Sequence, residues 1–329
     1  MVYLYIVMSD IDIFSKQINI MIDNLEKLPK LGDINLVFEG GSLNGYYLVG
    51  VAMFLKELER RGVFNVVKVS GTSIGAYIAF HYLNDTLAAS YKHSLYAKQS
   101  VIERLNLSYY KEAVAEDVSG VDPTVFNSRL FITYYDVLPE RRRVVQSEFA
   151  DVSKLRDALC SAAYLPVLMD GGMTYECERG ERRCIDGGLP HLFDDDKQKT
   201  LYVKLSGWNK LGTMFNHRGE KNGRGRVCEG IVSAYNFFLY GETGSDMCSW
   251  VSNWGTFDRV VYGFKHIFCL IVSLIVCGTV LGWQWFLSNN PGYDAIVDGL
   301  LCNSDLSILM AVGQQIKDVL KDILIVLMK

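Results

Sequence analysis

The sequence predicts an α/β domain with a mostly parallel central sheet, followed by one membrane-spanning helix. Three observations predict it. The first ninety or so residues alternate strand, helix, strand, helix, the pattern of a parallel sheet with helices packed on it. Half of the 329 residues are apolar, enough to bury a sizeable core. Ile267 to Leu287 runs 21 residues without a charge, a length that crosses a hydrocarbon core of roughly 30 Å at about 1.5 Å per residue.

The elements follow in order. Ile11, Phe14, Ile18, Met21, Ile22 and Leu25 line one side of an amphipathic helix over about 9–29. Ile34 to Phe38 reads as a buried strand and Tyr46 to Arg61 as a helix stopped by Gly62. Val66 to Val69 is a second strand, and Ile74 to Leu83 a helix. Residues 87–118 read as helical. Leu130 to Asp136 and Arg143 to Phe149 read as strands, and Val152 to Ala163 as a helix. Met173 to Cys177 and Arg182 to Ile185 form a hairpin pattern. Leu201 to Leu205 reads as the last strand, and Arg226 to Tyr240 as a helix.

Beyond Gly241 the composition changes. Tyr262 before the uncharged run, and Trp283 and Trp285 at its far end, stand where interfacial aromatics stand. Arg259 and Lys265 precede the run and no Lys or Arg follows until Lys317. Charge bias therefore places residues 1–265 in the cytosol, on a single-pass membrane protein. In 306–328, Leu309, Val312, Ile316, Val319, Leu320, Ile323 and Leu327 make an apolar stripe. The stripe suits a membrane interface, a partner helix or self-association.

A net charge of −4 gives no basic field for nucleic acid. The eight cysteines include no C-x-x-C pair, so a zinc site is not expected, and their scatter suits buried thiols in a reducing compartment. Met1 to Met8 lacks the basic start and the cleavage site of a secretion signal.

Three motifs carry chemistry. Gly71-Thr-Ser-Ile-Gly75 fits G-x-S-x-G, follows a β-branched strand and opens a helix, the setting a nucleophile elbow requires. Its bland reading is a serine N-cap. Glu39-Gly-Gly-Ser-Leu-Asn-Gly45 ends the first strand and opens a helix. Tyr46 and Tyr47 replace the Lys and Ser/Thr of a P-loop, which leaves a run of backbone N–H groups able to hold an oxyanion, or a plain turn. A serine nucleophile needs a base. His191 and His217 come late enough to close a Ser-Asp-His order. Asp170 and Asp186 each precede two glycines, and position alone does not separate them.

Taken in this order, the motifs resemble the patatin-like phospholipase family. They are Gly40-Gly41-Ser42-Leu43-Asn44-Gly45, Gly71-Thr72-Ser73-Ile74-Gly75 and Asp186-Gly187-Gly188, with the Ala/Ser-rich Leu159 to Pro166 upstream of the Asp. The resemblance covers roughly 33–206. It implies a three-layer α/β fold and a Ser73–Asp186 dyad, with no cofactor, no metal and no histidine. It implies an oxyanion hole formed by Gly40, Gly41, Ser42, Asn44 and Gly45, and a membrane phospholipid or other lipid ester as substrate. Two positions depart from the family pattern: Ser42 stands where a third glycine is usual, and Asn44 where Arg or Lys is usual. The organisation expected is an N-terminal helix at 1–30, a catalytic domain at 31–240 and a linker at 241–265. A transmembrane helix at 266–288 and a tail at 289–329 follow. The rival readings are an α/β-hydrolase with a Ser-Asp-His triad and a membrane-anchored binding protein without catalysis.

Overall fold

The computed structural model describes residues 2–289, apart from 26–27, 42–44, 105, 167, 178–179, 194–196, 206–222 and 246. Side chains of residues 2–9, 97–104 and most of 270–289 also lie outside the described set. The amphipathic tail expected at 306–328, with its self-association, falls outside it too.

The first elements are α1 (Val2–Asp23), β1 (Gly32–Phe38), α2 (Gly45–Arg60), β2 (Phe64–Gly71), α3 (Ile74–Leu83), α4 (Leu87–Arg104) and α5 (Tyr109–Val118). The middle holds β3 (Leu130–Leu138), β4 (Arg142–Gln146), α6 (Val152–Ala162), β5 (Tyr175–Cys177) and β6 (Arg182–Asp186). The last are β7 (Lys199–Val203), α7 (Gly223–Tyr240), β8 (Cys248–Trp250) and α8 (Thr256–Asn289). One eight-stranded sheet runs β5-β6-β3-β2-β1-β7-β8, with β4 also on β3. β1 pairs in parallel with β2 and β7, and β2 with β3. The remaining pairs are antiparallel. The parallel centre and its crossover helices are the α/β architecture that the alternating pattern predicts.

Local chemistry explains where elements stop. The helix expected over 87–118 is broken into α4 and α5, because the Asn106 side chain takes bonds from Ser108 N (3.1 Å) and Ser108 Oγ (2.8 Å). Such local bonds compete with the helical ladder. α6 starts at Asp151, whose carboxylate accepts from Lys154 N at 3.0 Å. Helices α2 and α7 cross on two glycines. A Cβ on Gly50 would lie 2.0 Å from the Val227 carbonyl oxygen, and one on Gly230 would lie 2.1 Å from that of Tyr47.

The sheet is buried on both faces, which is why Ile34 to Phe38 is a continuous apolar run apart from Asn35. Leu36 and Phe38 face the main core with α2, α3 and α7. Val37 and Tyr202 face the other way, toward Phe193, Val251, Trp254 and Tyr262. Tyr135, Val137 and Ile185 on that same face meet Cys269.

Three expectations change here. β7 is not the last strand, since β8 extends the sheet beyond it. The segment expected as a linker, 241–265, supplies β8 and the start of α8. The start of α8 is the third layer of the domain, packed on the sheet through Tyr262 and Cys269, so one side of the expected span's first turn lies against protein. Among the described residues no helix is long and apolar enough to cross a membrane, and most side chains of 267–287 lie outside those residues. The transmembrane helix expected there is therefore not found. Lys265, counted by sequence as a flanking cation, instead bonds Glu39 at 2.8 Å.

Candidate active site

The residues after β2 form a sharp turn. Ser73 has φ 53° and ψ −136°, a region that costs a non-glycine residue of order 1–3 kcal/mol. It sits at the N-cap of α3 but makes no side-chain cap bond, so its hydroxyl is not spent on the helix end. That disposes of the bland N-cap reading. The turn needs its glycines: a Cβ on Gly71 would lie 2.4 Å from Gly75 O, and one on Gly75 would lie 2.3 Å from Phe38 O.

β1 ends beside this turn. A Cβ on Gly40 would lie 2.9 Å from Ser73 Cβ, one on Gly41 2.6 Å from Leu205 Cβ, and one on Gly45 3.1 Å from Ile74 Cγ1. Gly40 and Gly45 thus keep the loop against the elbow, and Gly41 keeps it against Leu205. Ser42, Leu43 and Asn44 lie outside the described residues.

β6 delivers Asp186 to the same place. Its neighbour Gly187 passes so close that a Cβ would lie 2.2 Å from Thr133 O and 2.7 Å from Thr72 Oγ1. Asp186 Oδ1 accepts from Gly188 N at 2.6 Å. Oδ2 is buried and meets no donor with strict hydrogen-bond geometry. Yet the Ser73 hydroxyl is felt as a bond that favours the charged carboxylate. The two observations fit a serine within reach but not aligned, as free enzymes commonly show. Burial dominates and pushes the Asp186 carboxyl up to about 6, against the opposing pull of Gly188 N and Ser73.

Asp170 is elsewhere. It bonds Lys111, Tyr164 Oη and Gly172 N in a turn where Gly171 has φ 89°. Burial would raise its carboxyl, but these bonds hold it below the usual carboxylate range. His191 stacks on Phe131 with centroids 5.7 Å apart. His81 and His93 lie 3.2 Å from Asp117. Among the described residues no histidine acts on Asp186. His217 lies outside the described residues.

Sequence reasoning missed two supports. One segment fixes both halves of the pair through its main chain: Ser73 N donates to Ala162 O (2.8 Å), and Asp186 N donates to Tyr164 O (2.9 Å). Main-chain acceptors leave no residue signature, and only the small side chains of Leu159 to Ala163 hint at close packing. The other support is α8. Tyr262 Oη donates to Pro190 O at 2.8 Å, and Lys265 neutralises the buried Glu39 at the head of the glycine loop. Glu39 Oε2 also accepts from Leu205 N at 2.7 Å. Arg143 steadies the turn after Gly188 by bonding Leu189 O and Pro190 O.

Gly188 itself has φ 65°, and a Cβ there would lie 2.3 Å from Cys269 Sγ. Gly188→Ala is expected to cost about 2–4 kcal/mol from overpacking and φ together. Adding Cys269→Ala should recover part of that cost by removing the Sγ contact, but not the φ share or the remaining 2.9 Å approach to the Cβ of residue 269. Urea melts of the two singles and the double measure that coupling.

Residues 36–191 match the family model of patatin-like phospholipases, a stretch that takes in the glycine loop, the elbow, the Ala/Ser-rich segment and the Asp-Gly-Gly turn. No curated protein and no solved structure matches the chain. Residues 36–191 of this chain are thus similar to the patatin-like phospholipase domain, of a family of lipid acyl hydrolases.

Proposed function

We propose that the chain is a phospholipase A-type serine hydrolase that releases fatty acid from membrane lipid esters with a Ser73–Asp186 dyad. The observation that carries this is that β6 brings Asp186-Gly187 against Thr72, next to Ser73 in its strained elbow, while burial raises the Asp186 carboxyl to about 6. A carboxylate of that basicity takes the Ser73 proton at neutral pH as Oγ attacks the ester carbonyl. The tetrahedral oxyanion is held by backbone N–H groups of the loop from Gly40 to Gly45, each donor typically worth about 3 kcal/mol. The leaving alcohol takes the proton from Asp186. Water then gives a proton to Asp186 as its oxygen attacks the acyl-Ser73, and Asp186 returns that proton to Ser73 Oγ as the fatty acid leaves. The cytosolic placement of the domain belongs to this proposal.

The test is calcium-free fatty-acid release from phospholipid vesicles as a function of pH. kcat/KM is expected to fall about tenfold per unit below pH 6, as Asp186 takes up its proton. His191→Ala should keep the same profile. A profile that shifts or disappears in His191→Ala would favour the triad instead.

A further inference from the structure

α8 has two faces of opposite character. Tyr262, Lys265 and Cys269 point into the domain, onto Pro190, Glu39 and Gly188. Phe257, Val260, Phe264, Ile267, Phe268, Ile271 and Ile275 point out, with Phe257 78% and Phe264 and Phe268 each 67% exposed. At 3.6 residues per turn, those seven side chains fall within an arc of about 100° and span about 27 Å. Asp258, Arg259, Lys265 and His266 all fall outside that arc. Isolated exposed hydrophobics need no explanation, but a continuous row of seven does.

We infer that this outer face of α8 docks on a lipid bilayer and so sets the mouth of the site against the membrane. The inference rests on the hydrolase reading for the chemistry of the occupant. Three observations favour lipid over a protein partner. The row carries no polar group with which a partner could be registered, whereas helix-pairing seams are edged by charges that fix it. Three of its seven members are phenylalanines, the kind of side chain an interfacial helix sinks below the headgroups. The helix continues into the uncharged run that ends at Leu287. The inner face also ties the docked element to the glycine loop and to the turn after Asp186, so a lipid entering from the bilayer arrives beside Ser73.

The experiment uses the full chain with phosphatidylcholine vesicles. Partition is measured by flotation, and hydrolysis is compared on vesicles and on a monomeric short-chain ester. Phe264→Glu/Phe268→Glu is expected to lower partition at least tenfold and to lower the vesicle-to-monomer activity ratio by a similar factor. Phe264→Leu/Phe268→Leu, which keeps the row apolar, should stay within about threefold of wild type and so controls for folding. Unchanged partition in the glutamate variant overturns the inference. So does a wild-type dimer that the glutamates dissociate without altering partition, since a second copy then covers the face. Lost partition in a protein that hydrolyses neither substrate sinks the hydrolase reading and leaves the docking face standing. Unchanged partition with Ser73-dependent hydrolysis does the reverse.

Discussion

Ser73→Ala and Asp186→Asn should each lower fatty-acid release by at least about 10³-fold, with little change in KM. A nucleophile and its base act as a unit, so removing either forfeits most of what both supply. The double variant should therefore be little worse than either single. The two singles should part company in stability. The folded carboxyl titrates near 6, against an ordinary value of 3.8. Between those values the folded state holds more protons than the unfolded one, so Asp186 lowers stability as pH rises through that window. Above it, asparagine should stabilise the fold by on the order of 2 kcal/mol, and near pH 3 by nothing. Melts at both pH values, run beside the activity assay, check this. A variant equally stable at both, or one retaining activity, would remove Asp186 from its role.

Gly50→Ala and Gly230→Ala should each destabilise by about 2–4 kcal/mol. The sign is informative, because alanine in a helix interior is otherwise favoured over glycine by about 1 kcal/mol. Here the added methyl meets a carbonyl oxygen of the facing helix at 2.0 or 2.1 Å, and a backbone cannot swing aside as a side chain can. Because both glycines serve one crossing, the double variant should fall short of the sum. Thermal melts would show it, with the surface variant Gly62→Ala as reference: its φ is 72° and a Cβ there meets nothing within 4 Å. A rise in melting temperature for Gly50→Ala would mean that the helices stand further apart than described.

Much of this was legible in the sequence because it is written in local patterns. The alternation of strand and helix, the elbow around Ser73 and the glycines beside it all follow from residue type and spacing. The choice between Asp170 and Asp186 was not local, and in the sequence only the family resemblance favours Asp186. Each lies in an Asp-Gly-Gly turn, and only the sheet shows that one ends β6 beside Ser73 while the other is held by Lys111 and Tyr164. β8 escaped because a three-residue strand, Cys248–Trp250, has no period to read. The uncharged run starting in α8 reads as a span in the sequence for a physical reason. A helix that is apolar toward a sheet and apolar again on its outer side has the composition of a membrane span. Lys265 looked like an interfacial flank because its partner Glu39 lies 226 residues away.

The third layer also bears on which piece of the chain can stand alone. The family-matched stretch, 36–191, contains Ser73, Asp186 and the glycine loop. It lacks β7 and part of what covers this side of the sheet: Phe193, Val251, Trp254 and Tyr262 beside Val37, and Cys269 beside Tyr135, Val137 and Ile185. The recognisable portion of the gene product and its independently folding portion are thus different lengths. A fragment cut to the former would present part of one side of its sheet to water, and its silence in an assay would report an uncovered surface, not missing chemistry.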